Sequence, residues 1–182
     1  GNFNSIKDII KAKVEIFNGL KNDGYILINN DHYYDEIIKY TKNYSQSNVL
    51  TYGFNKKADI RLVHRNKSNK GQKITAEVDG KTYNYEISLD GQHQAINSLA
   101  VIGSLMLSNC DINKGLSNLD KITLPTGRGA KYHLLIKGEK SILIDDTYNA
   151  NLGSMIASLH SLNEIAKSNR KVLIFGEMGE LG

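Results

Sequence analysis

The 182 residues include one cysteine, one proline and no tryptophan. A single thiol, Cys110, excludes an intrachain disulfide framework and any cysteine-based zinc site. No apolar run approaches the ~18 residues of a membrane span. The N-terminal stretch is amphipathic and charged, unlike a signal peptide. No membrane partner is expected, and a reducing, cytoplasmic setting is the default. With 40% hydrophobic and 23% charged residues, the chain is too apolar for wholesale disorder. The net charge is +4, from 23 Lys and Arg against 19 Asp and Glu. The densest basic stretch, residues 61–73, reads as part of a hairpin, with no stacking-aromatic or groove-helix motif. No nucleic acid is therefore expected as a partner.

What is present alternates between helical and strand periods. Ile6, Ile9, Ile10, Phe17 and Leu20 recur at helical spacing after Ser5, which predicts a capped helix over residues 5–20. Lys13 falls on that apolar stripe. Residues 25–29 form a short apolar run typical of a buried parallel strand, followed by a helix over 31–40 and a strand over 48–52. Residues 60–64, 73–78 and 83–89 alternate in period two around turn signals at Asn69-Lys70-Gly71 and Asp79-Gly80, which predicts an antiparallel meander. Helices are expected over 94–107 and 111–119. The only proline, Pro125, stands with Gly127 and Gly129 in the best linker candidate. Beyond it come a hairpin over 132–144, a helix over 154–166 and a buried strand over 171–175.

Four strings bear on chemistry. Residues 75–82 end in Gly80-Lys81-Thr82 as a P-loop does, but Thr75 stands where the first glycine belongs. The string also lies between two strands, whereas a P-loop joins a strand to a helix. It reads as a hairpin turn. Lys13 admits two readings: a lysine that buries its stem and hydrates its tip, or one aimed into a site to bind phosphate or, once carbamylated, a metal. Gly91-Gln92-His93-Gln94-Ala95-Ile96-Asn97 opens a helix, so it is either a simple cap or a set of amides and free N–H groups able to read a base edge. Asp145-Asp146-Thr147-Tyr148-Asn149-Ala150-Asn151 leaves the end of an apolar strand, where ligands gather in open α/β sheets. It is either a polar loop with an Asx cap or a site for magnesium or ribose.

Together these strings resemble the Mur ligases. The carrying residues are 12–17, Asn29-Asn30-Asp31, residues 91–100, Gly127-Arg128, residues 145–151 with Ser154-Met155, and the closing 176–182. They occur in family order over nearly the whole chain. The resemblance implies an α/β fold: part of a central ATPase domain, a mostly parallel sheet with flanking helices plus a small antiparallel sheet matched by residues 60–89. It implies a division at 126/127. Residues 1–126 would be the second half of the ATP-binding domain, its P-loop lying upstream, and 127–182 the linker and start of an α/β Rossmann-like C-terminal domain. The chain begins at Gly1 without a methionine and is expected to be an excised segment, inactive alone.

The implied activity is ATP-dependent amide-bond formation in peptidoglycan precursor synthesis, adding D-alanyl-D-alanine to UDP-N-acetylmuramoyl-tripeptide. The peptide carboxylate is phosphorylated, the incoming amine attacks the acyl phosphate, and phosphate leaves. ATP and magnesium are the implied cofactors, and a monomer is expected. Residue by residue, the resemblance assigns Lys13 to carbamylation and a second magnesium. His93, Gln94 and Asn97 go to the adenine region, where Gln94 replaces the usual asparagine. Arg128 is assigned to the ATP phosphates, Asp146 to the ribose, and Tyr148, Asn149 and Asn151 to the incoming dipeptide. Two alternatives stand beside this reading: a non-catalytic scaffold that keeps only the fold, and a ligase like folylpolyglutamate synthetase.

Overall fold

A computed structural model describes residues 3, 5–42 and 48–178. The chain opens with α1 (Ile6–Val14), capped by the Ser5 side chain accepting from the Asp8 N–H at 3.2 Å. The helix then tightens into a 3-10 turn over Glu15–Gly19. Strand β1 (Ile26–Asn29) follows, then the one-turn helix α2 (Tyr34–Ile37) and β2 (Val49–Gly53). Both strands lie within a residue of where they were expected, whereas the helix expected over 31–40 is one α-turn and a 3-10 turn.

Five strands form one sheet in sequence order. β1 and β2 pair in parallel from Ile26↔Val49 to Asn29↔Tyr52. The meander is β3 (Ile60–Ser68), β4 (Gly71–Val78) and β5 (Lys81–Ile87), paired antiparallel. It was expected as a small separate sheet, but it is continuous with the parallel pair. β3 starts beside the end of β2, overlapping it only at Tyr52↔Ile60 and Gly53↔Arg61, and runs on beyond it. The Asp79-Gly80 turn has φ of +47° and +71°, as a two-residue hairpin requires. The P-loop-like string therefore closes a hairpin, as its neighbours implied.

Helix α3 (Gln92–Leu107) lies across this sheet, and its Leu99 and Ile102 meet Ile60, Leu62, Ile74 and Ala76 in the core. Gly103 permits the close approach: a Cβ there would stand 2.8 Å from Leu27 Cδ1. Helix α4 (Ile112–Leu116), capped by Asp111, adds Leu116 to the same core.

The second sheet is the hairpin of β6 (Ala130–Ile136) and β7 (Glu139–Asp145), and α5 (Leu152–Ala166) follows it. The fold class is thus as expected: α/β, with a mixed sheet, flanking helices and a small antiparallel sheet. The expected buried strand over 171–175 is not formed. Residues 171–178 take no regular structure, and Ile174 is 90% exposed. An apolar run becomes a buried strand only when neighbours take up its N–H and C=O groups, and no described strand pairs with this one. Of the closing string 176–182, residues 179–182 lie outside the described residues.

Candidate functional site

The N-terminus of α3 and the loop after β7 meet. Gly91 is the N-cap of α3, with φ of +90°, and its carbonyl accepts from the Gln94 and Ala95 N–H groups at 3.2 and 3.3 Å. The position tolerates nothing larger: an added Cβ would lie 2.3 Å from Ser161 Oγ on α5 and 2.8 Å from His93 Cε1. Buried Gln72 fixes the approach from below, its amide donating to the Gly91 carbonyl at 3.0 Å and the Leu89 carbonyl at 2.8 Å. The Ser161 hydroxyl is buried against this turn and has no hydrogen-bond partner.

His93 is half-buried in the first turn of α3. Burial pushes its imidazole below the ordinary histidine value. Asp146 pulls it back up, Arg65 pushes it further down, and Glu164 pulls it up. These four groups come from α3, the β7–α5 loop, β3 and α5, so the junction gathers charges far apart in sequence. Gln94 and Asn97 lie one helical turn apart on α3, Gln94 half-buried and Asn97 exposed. Asp146 is exposed and accepts from the Ser158 hydroxyl of α5.

The linker and the β7–α5 loop are tied together. The Asp145 carboxylate accepts from the Gly127 N–H at 3.1 Å and from the Thr147 hydroxyl at 2.7 Å. The Thr147 hydroxyl bond leads in holding this carboxyl below its usual range, against a smaller opposing effect of burial. The Tyr148 N–H donates to the Gly127 carbonyl at 2.9 Å. Arg128 then stacks on Tyr148, its guanidinium carbon 4.1 Å from the ring centroid.

Two expected site residues land elsewhere. Lys13 is exposed rather than semi-buried, and the buried residues of α1 are Ile10 and Val14. The helix stops at Val14, so Phe17 belongs to a 3-10 turn with a different period, and the stripe that carried Lys13 inward is broken. Asn151 caps α5, its side chain accepting from the Ser154 N–H at 2.9 Å while the Ser154 hydroxyl accepts from the Asn151 N–H. Asn149 is exposed and accepts from the Ala150 N–H. Among the described residues no group of three His, Cys, Asp or Glu side chains converges. The described residues therefore offer magnesium no three-ligand cage.

Sequence reasoning missed the contacts that lock the junction. Arg65 of β3 forks onto Glu164 of α5, with nitrogen–oxygen distances of 3.0 and 2.5 Å, and also reaches Gln72 at 2.9 Å. Lys131 of β6 pairs with Asp90. Partners 99 residues apart leave no local pattern. Their only trace was the basic excess in β3.

Residues 1–105 match the Mur ligase middle domain, and the chain belongs to that family. Among individual proteins, it is 32% identical over 181 residues to the UDP-N-acetylmuramoyl-tripeptide--D-alanyl-D-alanine ligase of Rickettsia prowazekii, covering 99% of this chain and 39% of that one. The Escherichia coli ligase of the same name is 29% identical over 184 residues, covering 99% and 38%. The chain therefore spans under two-fifths of the curated relatives it matches. In fold it resembles MurF from Acinetobacter baumannii, with a TM-score of 0.78 at 19% identity over 89% of this chain and 34% of that one. It also resembles the Thermotoga maritima MurF ligase in complex with ADP, with a TM-score of 0.69 at 20% identity over 88% and 35%. No described helix is long and apolar enough to cross a membrane.

Proposed function

We propose that this chain is part of a cytoplasmic, ATP-dependent amide ligase that adds D-alanyl-D-alanine to UDP-N-acetylmuramoyl-tripeptide through an acyl phosphate. Residues 1–126 are its ATP-binding part, and 127–182 open its C-terminal domain. The observation that carries the reading is the junction of α3 with the β7–α5 loop, in a chain similar over nearly all its length to ligases of that name.

The junction fits the nucleoside end of ATP. It holds an orphaned buried hydroxyl, Ser161, and a glycine whose missing Cβ lets that hydroxyl stand close against the α3 terminus. Gln94 and Asn97 each offer a donor and an acceptor suited to a base edge. Asp146 accepts from the ribose hydroxyls, and its bond to Ser158 holds it in place. Arg128 supplies a fixed positive charge where negative charge grows on transferring phosphoryl oxygens, and stacking on Tyr148 orients it beforehand. His93, biased toward its neutral form, keeps a competing cation away from the base. Tyr148 and Asn149 face the dipeptide. The Asn151 side chain is spent on the α5 cap and acts there only by shaping the loop. Lys13 keeps the carbamylation role that resemblance gives it, its exposed amine being open to carbon dioxide.

The test is phosphate release by the gene product, supplied with ATP, magnesium and UDP-N-acetylmuramoyl-tripeptide. Release that depends on D-alanyl-D-alanine supports the reading. Release that answers instead to glutamate with a folate acceptor, or no release with either, overturns it. The 182 residues alone are expected to show no turnover.

A further inference from the structure

Behind the α3 terminus, one polar side chain of the meander is enclosed by the fold. Gln72 of β4 is 2% exposed, the least of the buried polar residues among those described. Its Nε2 donates to the Leu89 carbonyl at 2.8 Å and to the Gly91 carbonyl at 3.0 Å. Its Oε1 accepts from Arg65 Nη1 of β3 at 2.9 Å. Carbonyls only accept and a guanidinium only donates, so a single orientation of the amide satisfies all three bonds. The reverse orientation would leave buried polar groups unpaired.

Arg65 is itself held from the far side. The same Nη1 donates to Glu164 Oε2 at 3.0 Å, and Nη2 donates to Glu164 Oε1 at 2.5 Å. A two-pronged bond of this kind fixes the plane of a guanidinium, which a lysine ammonium cannot reproduce. A continuous chain of hydrogen bonds thus runs from Glu164 on α5, through Arg65 and Gln72, to the Gly91 carbonyl. That carbonyl is the first acceptor of α3, taking the Gln94 and Ala95 N–H groups at 3.2 and 3.3 Å. Its direction sets the first turn of the helix, which carries Gln94, with Asn97 one turn further on. A charged donor at one end of such a chain polarises the amide and strengthens the bonds beyond it.

We propose that Arg65 and Gln72 are positioning residues for the base-reading turn of α3. Arg65, held by Glu164, orients the Gln72 amide, and Gln72 holds the Gly91 carbonyl so that Gln94 and Asn97 face the base. Neither residue touches nucleotide. The inference rests on the reading of this junction as the nucleoside end of an ATP site, and adds to it how residues of the meander and of α5 act on that site.

The experiment measures phosphate release by the gene product with Arg65→Lys, with Glu164→Gln and with both, alongside inhibition by inorganic tripolyphosphate. Arg65→Lys keeps the charge and lies on a half-buried strand position, and Glu164→Gln is exposed. Each single variant is expected to raise KM for ATP about fivefold with kcat unchanged. The double variant should be no worse than Arg65→Lys, because the chain of bonds is already cut. Inhibition by tripolyphosphate, which has no base, should be the same in all four proteins. An unchanged KM in Arg65→Lys overturns the proposal. So do additive effects in the double variant, or tripolyphosphate binding that weakens as much as ATP does. A parent protein that fails to bind ATP overturns the nucleotide reading itself, whereas a parent that binds ATP with variants that match it overturns the positioning role alone.

Discussion

Replacing Gly91 by alanine tests whether α3 and α5 meet as described. At φ of +90° and ψ of 147° the backbone lies in a region close to glycine-only, and a side chain there costs about 1–3 kcal/mol. The new methyl would also press within 2.3 Å of Ser161 Oγ and 2.8 Å of the His93 ring. Overpacking a tight contact adds about 1–3 kcal/mol. Ser161 can turn aside, so the lower half of the combined range, about 2–4 kcal/mol, is expected. That is a large fraction of a typical folding free energy. The assay is urea unfolding with an unchanged denaturant slope, which would locate the effect in stability rather than compactness. The pair Gly91→Ala/Ser161→Ala should recover part of the loss, because removing Oγ removes the nearest clash. A loss below about 0.5 kcal/mol for Gly91→Ala, or no coupling between the two sites, would refute the contact.

The Arg65–Glu164 fork is part-exposed, so a double-mutant cycle should give no more than about 1 kcal/mol. Arg65 holds the Glu164 carboxyl below its ordinary value, so the contribution is present above that value and lost as pH falls through the lowered folded one. Acid titration of stability in the wild type and Glu164→Gln should therefore converge below pH ~4. His93, lowered chiefly by burial, should titrate below pH ~6.5 in a histidine-detected spectrum. Because the unfolded chain binds that proton first, His93 costs no stability above pH ~6.5 and increasingly more as pH falls toward its folded value. An imidazole titrating at or above the ordinary value would contradict its placement.

Much of this architecture was legible because it is written in short-range chemistry. Ser5, Asp79-Gly80 and the wide apolar face of α3 each specify their element locally, and each appears where expected. The Asx cap at Asn151 was also readable from the serine three residues on. What failed depended on partners. The 171–175 run has strand composition but no neighbour to complete its hydrogen bonds. Lys13 was misplaced because a helix that tightens after Val14 changes the period on which the stripe was counted. The meander joined the parallel strands through two residue pairs, too few to mark the sequence. At the junction, Arg128, Tyr148, Asp146 and His93 stand in strings that the sequence had singled out. Arg65, Glu164, Gln72 and Ser161, which gather around Gly91 and His93, act across the fold and carry no motif.

Titration with millimolar ADP, read residue by residue through amide shifts, tests most directly whether the α3 terminus and the β7–α5 loop form one nucleotide site. The account predicts concerted, saturable shifts at Gly91, His93, Gln94 and Asn97 together with Arg128, Asp146 and Tyr148, weakened in Arg128→Ala. Shifts confined to one of the two segments, or saturable binding that leaves both unmoved, would contradict it.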